Sequence, residues 1–349
     1  MITKDNYSEE HIRELQKISR RDPGLIERTL YAFGLLEALV QVGLPFTFKG
    51  GTSLLLLLEK PMRLSTDIDI VVKPGTDMKG YIEAASKIFP FTHQEEQSRV
   101  GRNNIEKKHY KFTYASPIQQ KPLYILLDVL FEEDNYSEVV TRNISNSLLL
   151  MEGEPLCVRV PSVDCILGDK LTAFAPHTTG IPLHQKKDME VMKQFYDICT
   201  MLDVLDNMDN VKDTYKNIVR AEIDYRGIDI KLEDVLLDTL YSAIAIGARG
   251  KVMPEDYPAY VRGSRDVRTH IYAEDFSPEI AAMRAPKIIY MAACLLTDHV
   301  YERNFDVDDL VKETLFQNDL KVLKYLKKVN PEGYAYVIMA DRLLADYIR

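Results

Sequence analysis

The sequence predicts an α+β protein: an N-terminal mixed β-sheet flanked by helices, followed by an all-helical C-terminal domain. Three observations carry that expectation. Alternating and β-branched runs are confined to the first 160 residues. Beyond about residue 163 the apolar residues recur at helical spacing, with few strand signals between them. The 349 residues suffice for two cores of ordinary size. The boundary falls near residue 160, giving domains of 1–160 and 161–349.

Residues 8–22 and 24–43 read as helices, the second carrying Leu25, Ile26, Leu30, Phe33, Leu36 and Leu39 before Gly43 and Pro45 stop it. A short strand, Phe46-Thr47-Phe48-Lys49, runs into Gly50-Gly51-Thr52-Ser53 and then a leucine-rich helix from Leu54 to Glu59 that Pro61 ends. The β-branched run 66–72 is a strand closed by Lys73-Pro74-Gly75. After a helix near 77–89, alternation predicts strands at 107–115 and 122–131, and a last strand at 156–160. Ser162 is placed to cap a helix over 163–175. Helical stretches follow near 188–206, 209–220, 231–247, 278–296, 306–328 and 331–347.

Apolar residues at 46% and charged residues at 28% are the balance of a folded globular chain. The start of the chain lacks a basic region followed by an apolar core, and no apolar run is long enough to span a bilayer, so a cytoplasmic protein without membrane contact is expected. Cys157, Cys165, Cys199 and Cys294 show no C-x-x-C spacing and read as reduced, mostly buried thiols. A net charge of -9 argues against a whole-surface polyanion binder. A local basic patch runs through Arg99, Arg102, Lys107, Lys108, His109 and Lys111, with Tyr110 and Phe112 interleaved. Those two rings either stack on bases or face the core of an amphipathic strand.

Glycines at 50 and 51 permit close approach of a ligand, and the amides of Thr52 and Ser53 lie at a helix N-terminus, where phosphate oxygens are favoured. The Ser53 hydroxyl is a further candidate donor, although G-G-T also turns strands into helices for structural reasons alone. Asp67 and Asp69, two apart on one strand, project to one side and suit a hard divalent cation that also bridges phosphates, Mg2+ or Mn2+. Strand, glycine loop, short helix and D-x-D in that order point to phosphoryl transfer assisted by metal. Asp128, a charge amid Leu126, Leu127, Val129 and Leu130, is a candidate third carboxylate, either a metal ligand or the base for an acceptor hydroxyl, if its strand lies beside that of Asp67 and Asp69. By composition alone, Lys170 and Asp197 read as an ordinary helix-surface charge and a helix-face hydrogen-bond partner.

Four segments in order resemble the nucleotidyltransferase toxins of the AbiEii/AbiGii family, a branch of the polymerase-beta-like superfamily. They are Phe48-Lys49-Gly50-Gly51-Thr52-Ser53-Leu54, then Arg63-Leu64-Ser65-Thr66-Asp67-Ile68-Asp69-Ile70, then Ile166 to Phe174 around Gly168-Asp169-Lys170, then Lys193-Gln194-Phe195-Tyr196-Asp197-Ile198. The resemblance implies an N-terminal nucleotidyltransferase sheet, with Lys49 to Ser53 and Lys170 on the nucleotide phosphates, Asp67 and Asp69 on the metal, and Asp197 required for transfer. It implies an NTP donor such as ATP or GTP, an RNA acceptor such as tRNA, and a cognate antitoxin protein. Two departures stand out. Gln194 occupies the place of an acid, the nearest upstream acid being Asp188, and the loop His177–Lys187 offers Lys186 and Lys187 where an arginine is expected.

Two other functions fit parts of the same pattern. One is a nucleotide-binding or partner-binding module without transfer activity, which the presence of Asp67, Asp69 and Lys170 together argues against. The other is a small-molecule nucleotidyltransferase, which the acidic balance favours over an RNA acceptor.

Overall fold

A computed structural model describes residues 1–97, 107–272 and 274–347. It divides into two compact units, Met1–Ser162 with Thr269–Glu274, and Val163–Arg268 with Asp275–Arg349. The chain is an α+β protein, a mixed sheet with flanking helices accompanied by a helical C-terminal region.

In the first unit, helix α1 (Glu9–Ser19) starts at Ser8, whose side chain accepts from the His11 amide. Helix α2 (Pro23–Gln41) starts at Asp22 in the same way, with Pro23 where its missing N–H costs nothing. Strand β1 (Thr47–Lys49) leads into α3 (Gly50–Leu57), β2 (Ile68–Val72), α4 (Lys79–Ala85), β3 (Phe91–Gln97), β4 (Lys107–Ala115) and β5 (Pro122–Phe131). Among the described residues the main sheet has the order β1-β2-β5-β4-β3, with β2 and β5 parallel and the other neighbours antiparallel. One face is apolar. Ile68, Ile70, Phe112, Tyr114, Ile125, Leu127 and Val129 are buried there beneath α2, and Tyr31 of α2 stacks on Tyr114 with ring centroids 3.7 Å apart. Strands β6 (Val139–Asn143) and β7 (Cys157–Pro161) form a separate antiparallel pair, with β7 lying against β1.

The second unit is helical throughout its described residues: α5 (Val163–Ala173), α6 (Asp188–Leu202), α7 (Met208–Arg226), α8 (Leu232–Gly247), α9 (Tyr257–Val267) and α10 (Pro278–Leu296) precede α11 (Val307–Leu310), α12 (Asn318–Lys321), α13 (Leu326–Val329) and α14 (Pro331–Leu343). Helix α5 packs on α6 and α7, and α10 packs on α8 and α14. No described helix is long and apolar enough to cross a membrane. Of the four thiols, Cys165, Cys199 and Cys294 are buried and Cys157 is exposed, and none of them is joined in a disulfide among the described residues.

Several elements differ from expectation. Strands β3 and β6 and helix α9 have no counterpart in the sequence reading. The helical stretch expected over 306–328 is broken into three four-residue α-helices and a 3₁₀ turn. The strand expected from residue 66 begins only at Ile68, because the Asp67 carbonyl accepts the Thr52 hydroxyl at 2.6 Å. Helix α3 begins at Gly50 rather than Leu54, so the glycines are its first turn.

Candidate active site

The face of the main sheet away from α2 carries a polar row. Cross-strand register aligns Lys49 of β1 with Asp69 of β2, Asp69 with Asp128 of β5, Asp128 with His109 of β4, and His109 with Gln97 of β3. Residues opposed across neighbouring strands share a face, so Asp128 does share its side of the sheet with Asp69. The alternation in β4 and β5 explains this. Tyr110, Phe112, Ile125, Leu127 and Val129 bury themselves on one side, which leaves His109, Lys111, Leu126 and Asp128 on the other.

The glycine loop meets this row at Asp69. Gly50 has φ of +80°, a left-handed conformation, and a Cβ added to it would lie 2.2 Å from Asp69 Oδ2. A Cβ on Gly51 would lie 2.2 Å from Nη2 of Arg63. The Arg63 side chain is buried, and its segment is held by a bridge to Ile271 and by the bond from the Leu64 amide to the His270 carbonyl. The first-turn amides of α3 have no acceptor within the helix and form a ready anion site. The two hydroxyls of the loop face elsewhere. Thr52 Oγ1 donates to the Asp67 carbonyl, and Ser53 Oγ donates to the Gly50 carbonyl at 2.7 Å, so the Ser53 proton is already engaged. Lys49 reaches across the Tyr136 ring, 5.8 Å from its centroid.

Asp67 is exposed and Asp69 half-buried. Asp128 turns toward β4, where its Oδ1 lies 2.6 Å from Nδ1 of His109. Among the described residues no three His, Cys, Asp or Glu side chains stand together as a cage for one ion. Asp69 and Asp128 nevertheless stand side by side on neighbouring strands, and Asp67 precedes the same strand as Asp69. Asp69 lies against Gly50, and Asp128 is hydrogen-bonded to His109. Two carboxylates beside a phosphate loop still fit Mg2+ or Mn2+, since such ions are commonly held by one or two protein carboxylates together with substrate phosphates.

In the second unit, Lys170 of α5 and Asp197 of α6 form an ion pair at 2.8 Å, with side chains only 8% and 2% exposed. The Lys170 ammonium also donates to Gln194 Oε1 at 2.9 Å. These two bonds use two of its three donors. Phe174 and Phe195, edge to face at 5.6 Å, lock the two helices at this level. Asp188 is engaged elsewhere, by Nε and Nη2 of Arg262, both at 2.9 Å from Oδ2. Lys186 and Lys187 are exposed, and the loop histidines His177 and His184 take opposite oxygens of the buried Asp256, each at 3.0 Å.

Of the basic patch, Arg99 and Arg102 lie outside the described residues. Tyr110 and Phe112 are buried in the core, so they are not a stacking platform. Lys111 pairs with Glu95 at 3.4 Å, and Lys108 lies over Phe131. In the sequence Arg63 is only the first residue of the segment that carries D-x-D, and His109 only a member of that patch. Each joins the site only through a contact, Arg63 at Gly51 and His109 at Asp128.

A strand ending in a glycine loop, with a D-x-D carboxylate packed against it, is the arrangement expected of a nucleotidyltransferase. The model of the family described as nucleotidyl transferase AbiEii toxin, Type IV TA system, matches residues 34–277, and the chain belongs to that family. No curated protein is similar to the chain in sequence. Among solved structures, JHP933 from Helicobacter pylori is 14% identical, with 78% of this chain and 93% of that one covered and a TM-score of 0.44. A second Helicobacter pylori protein, provisionally described as a nucleotidyltransferase, is 14% identical over 78% of this chain and 96% of its own, with a TM-score of 0.43.

Proposed function

We propose that the chain transfers a nucleoside monophosphate from an NTP to an acceptor hydroxyl, in a metal-dependent reaction of a toxin–antitoxin system. The observation that carries this reading is the packing of Asp69 directly on Gly50, which sets a metal-binding carboxylate against the phosphate loop. The amides of Gly51, Thr52 and Ser53 at the start of α3 receive triphosphate oxygens, with Lys49 and Arg63 adding positive charge beside the loop. Asp67 and Asp69 hold Mg2+ or Mn2+. When bound, the ion neutralises charge on the phosphates and on the departing pyrophosphate. We assign Lys170 to a nucleotide phosphate by family membership, and its ion pair with Asp197 fixes the ammonium within its own unit. Asp128 serves the acceptor: its free oxygen takes the hydroxyl proton as the oxygen attacks the α-phosphorus and the bond to pyrophosphate breaks.

We assign RNA, tRNA included, as the acceptor class, a cytoplasmic site of action, and a cognate antitoxin as functional partner, on the strength of family membership. A small-molecule acceptor is the second reading, favoured by the net charge of -9 and by the burial of Tyr110 and Phe112, which removes the stacking surface a single strand would use. Incubation of the protein with each labelled NTP, Mg2+ and total cellular RNA tests both. Labelled RNA with release of pyrophosphate supports the first. Labelled small metabolites from an RNA-free extract support the second, and no labelled product or pyrophosphate from either would overturn the assignment of transfer.

A further inference from the structure

We propose that His109 is a positioning residue for Asp128, fixing which carboxylate oxygen faces the acceptor. The inference rests on the assignment of Asp128 as the acceptor-side base. Backbone pairing of β4 with β5 places His109 directly opposite Asp128, so the contact is set by the sheet register rather than by a chance meeting of surface side chains. The imidazole is more enclosed than the carboxylate, with side chains 16% and 35% exposed. A carboxylate only accepts, so Nδ1 carries the proton of the 2.6 Å bond to Oδ1. That bond selects one rotamer of a half-exposed aspartate and leaves Oδ2 as the oxygen available for a proton. The same row carries Asp69 beside Asp128, so the freed oxygen is presented on the face where the phosphate loop meets the sheet. Without the imidazole, Asp128 would sample orientations in which neither oxygen meets the acceptor, and misplacement by about 1 Å is enough to slow a reaction about 100-fold.

The geometry dictates the variants. His109→Asn keeps an N–H donor the same number of bonds from the backbone as Nδ1, His109→Gln moves it one bond further, and His109→Ala removes it. His109→Ala should lower kcat on the order of 10- to 100-fold, the usual cost of losing a group that orients a reactive one. NTP affinity by titration and the thermal midpoint should stay near the unaltered protein's. His109→Asn should recover most of the turnover and His109→Gln little of it. In an Asp128→Asn background, His109→Ala should cost nothing further, because residues acting as a unit are not additive. An undiminished kcat in His109→Ala, an equal loss in all three variants, or the full His109→Ala loss repeated in the Asp128→Asn background would overturn the inference while leaving the transfer reading intact. Normal turnover in Asp128→Asn itself would instead remove the base assignment, and this inference with it.

Discussion

Asp69 occupies the space in which any side chain at Gly50 would begin, its Oδ2 standing 2.2 Å from where a Cβ would lie. Gly50 is therefore required twice over, by that contact and by a φ of +80°. Gly50→Ala should displace the carboxylate and abolish nucleotide transfer, with a stability loss on the order of 1–3 kcal/mol from the strained backbone. Gly51→Ala meets the far end of the Arg63 side chain instead, so it should cost less stability and should show mainly as weaker NTP binding. Thermal unfolding and NTP titration of the pair check the contrast. Equal unfolding temperatures and unchanged transfer in Gly50→Ala would count against the loop assignment.

Asp67→Ala and Asp69→Ala should each abolish transfer while the protein stays folded. Asp67 is exposed and precedes the strand, so removal of its carboxylate takes away no core contact. If the two carboxylates hold the ion, millimolar Mg2+ should raise the thermal midpoint of the unaltered protein, and neither variant should show that rise. A Mg2+ response that persists in both would place the ion elsewhere.

Strands β4 and β5 were legible in the sequence to their end residues, because one buried face and one wetter face write alternation into 107–115 and 122–131. Strand β3 was not. It is an edge strand in which only Phe91 is buried, and Thr92 to Gln97 carry no periodic apolar signal. Strand β6 has no fully buried residue, and among the described residues its strand pairing is with β7. Asp67, Asp69 and Asp128 could be picked out as costly or patterned acids. The partners His109 and Arg63 could not, because nothing local reports that β4 aligns with β5 in this register or that Arg63 folds back on Gly51. Which neighbour an aspartate turns toward is likewise decided across strands, as Asp128 does toward His109.

Glu27 offers a test of stability rather than function. Its carboxyl is fully buried within α2, with Oε2 receiving the Ser116 hydroxyl at 3.0 Å. Burial pushes its pKa above the ordinary carboxylate value, outweighing the hydrogen bonds from Ser116, Tyr114 and the Ile118 backbone and the nearby charge of Arg28, which pull it down. A folded pKa above the unfolded one means that ionisation at neutral pH works against folding, and that this cost disappears once the pH falls below the unfolded value. Glu27→Gln should therefore raise the melting temperature at pH 7 by roughly 2–4 °C, the scale of about 1 kcal/mol. The advantage should shrink as the pH is lowered from the raised folded pKa toward the ordinary carboxylate value, and be gone below it. A gain that is constant with pH would point to packing instead of charge.

The last prediction concerns the amide that stands where an acid is expected. Lys170 lies between Asp197 at 2.8 Å and Gln194 at 2.9 Å, one partner charged and one neutral. Lys170→Ala is a poor probe by itself, since it strands a buried carboxylate at a cost of about 3–5 kcal/mol and so mixes instability with lost binding. Gln194→Glu leaves the pair in place, changes no volume, and adds one negative charge beside the ammonium. Gln194 is only half-buried, so the fold should hold and the melting temperature should move little. If Lys170 meets a nucleotide phosphate, the new carboxylate should both compete for its remaining donor and repel the ligand. The loss of affinity should then be graded by ligand charge, greatest for NTP, smaller for NDP and NMP, and near zero for the nucleoside. Titration of the four ligands against Gln194→Glu and the unaltered protein reads that gradient directly. A uniform loss across all four would assign Gln194 to shaping the helix contact, and no loss at all would return Lys170 to a purely structural ion pair.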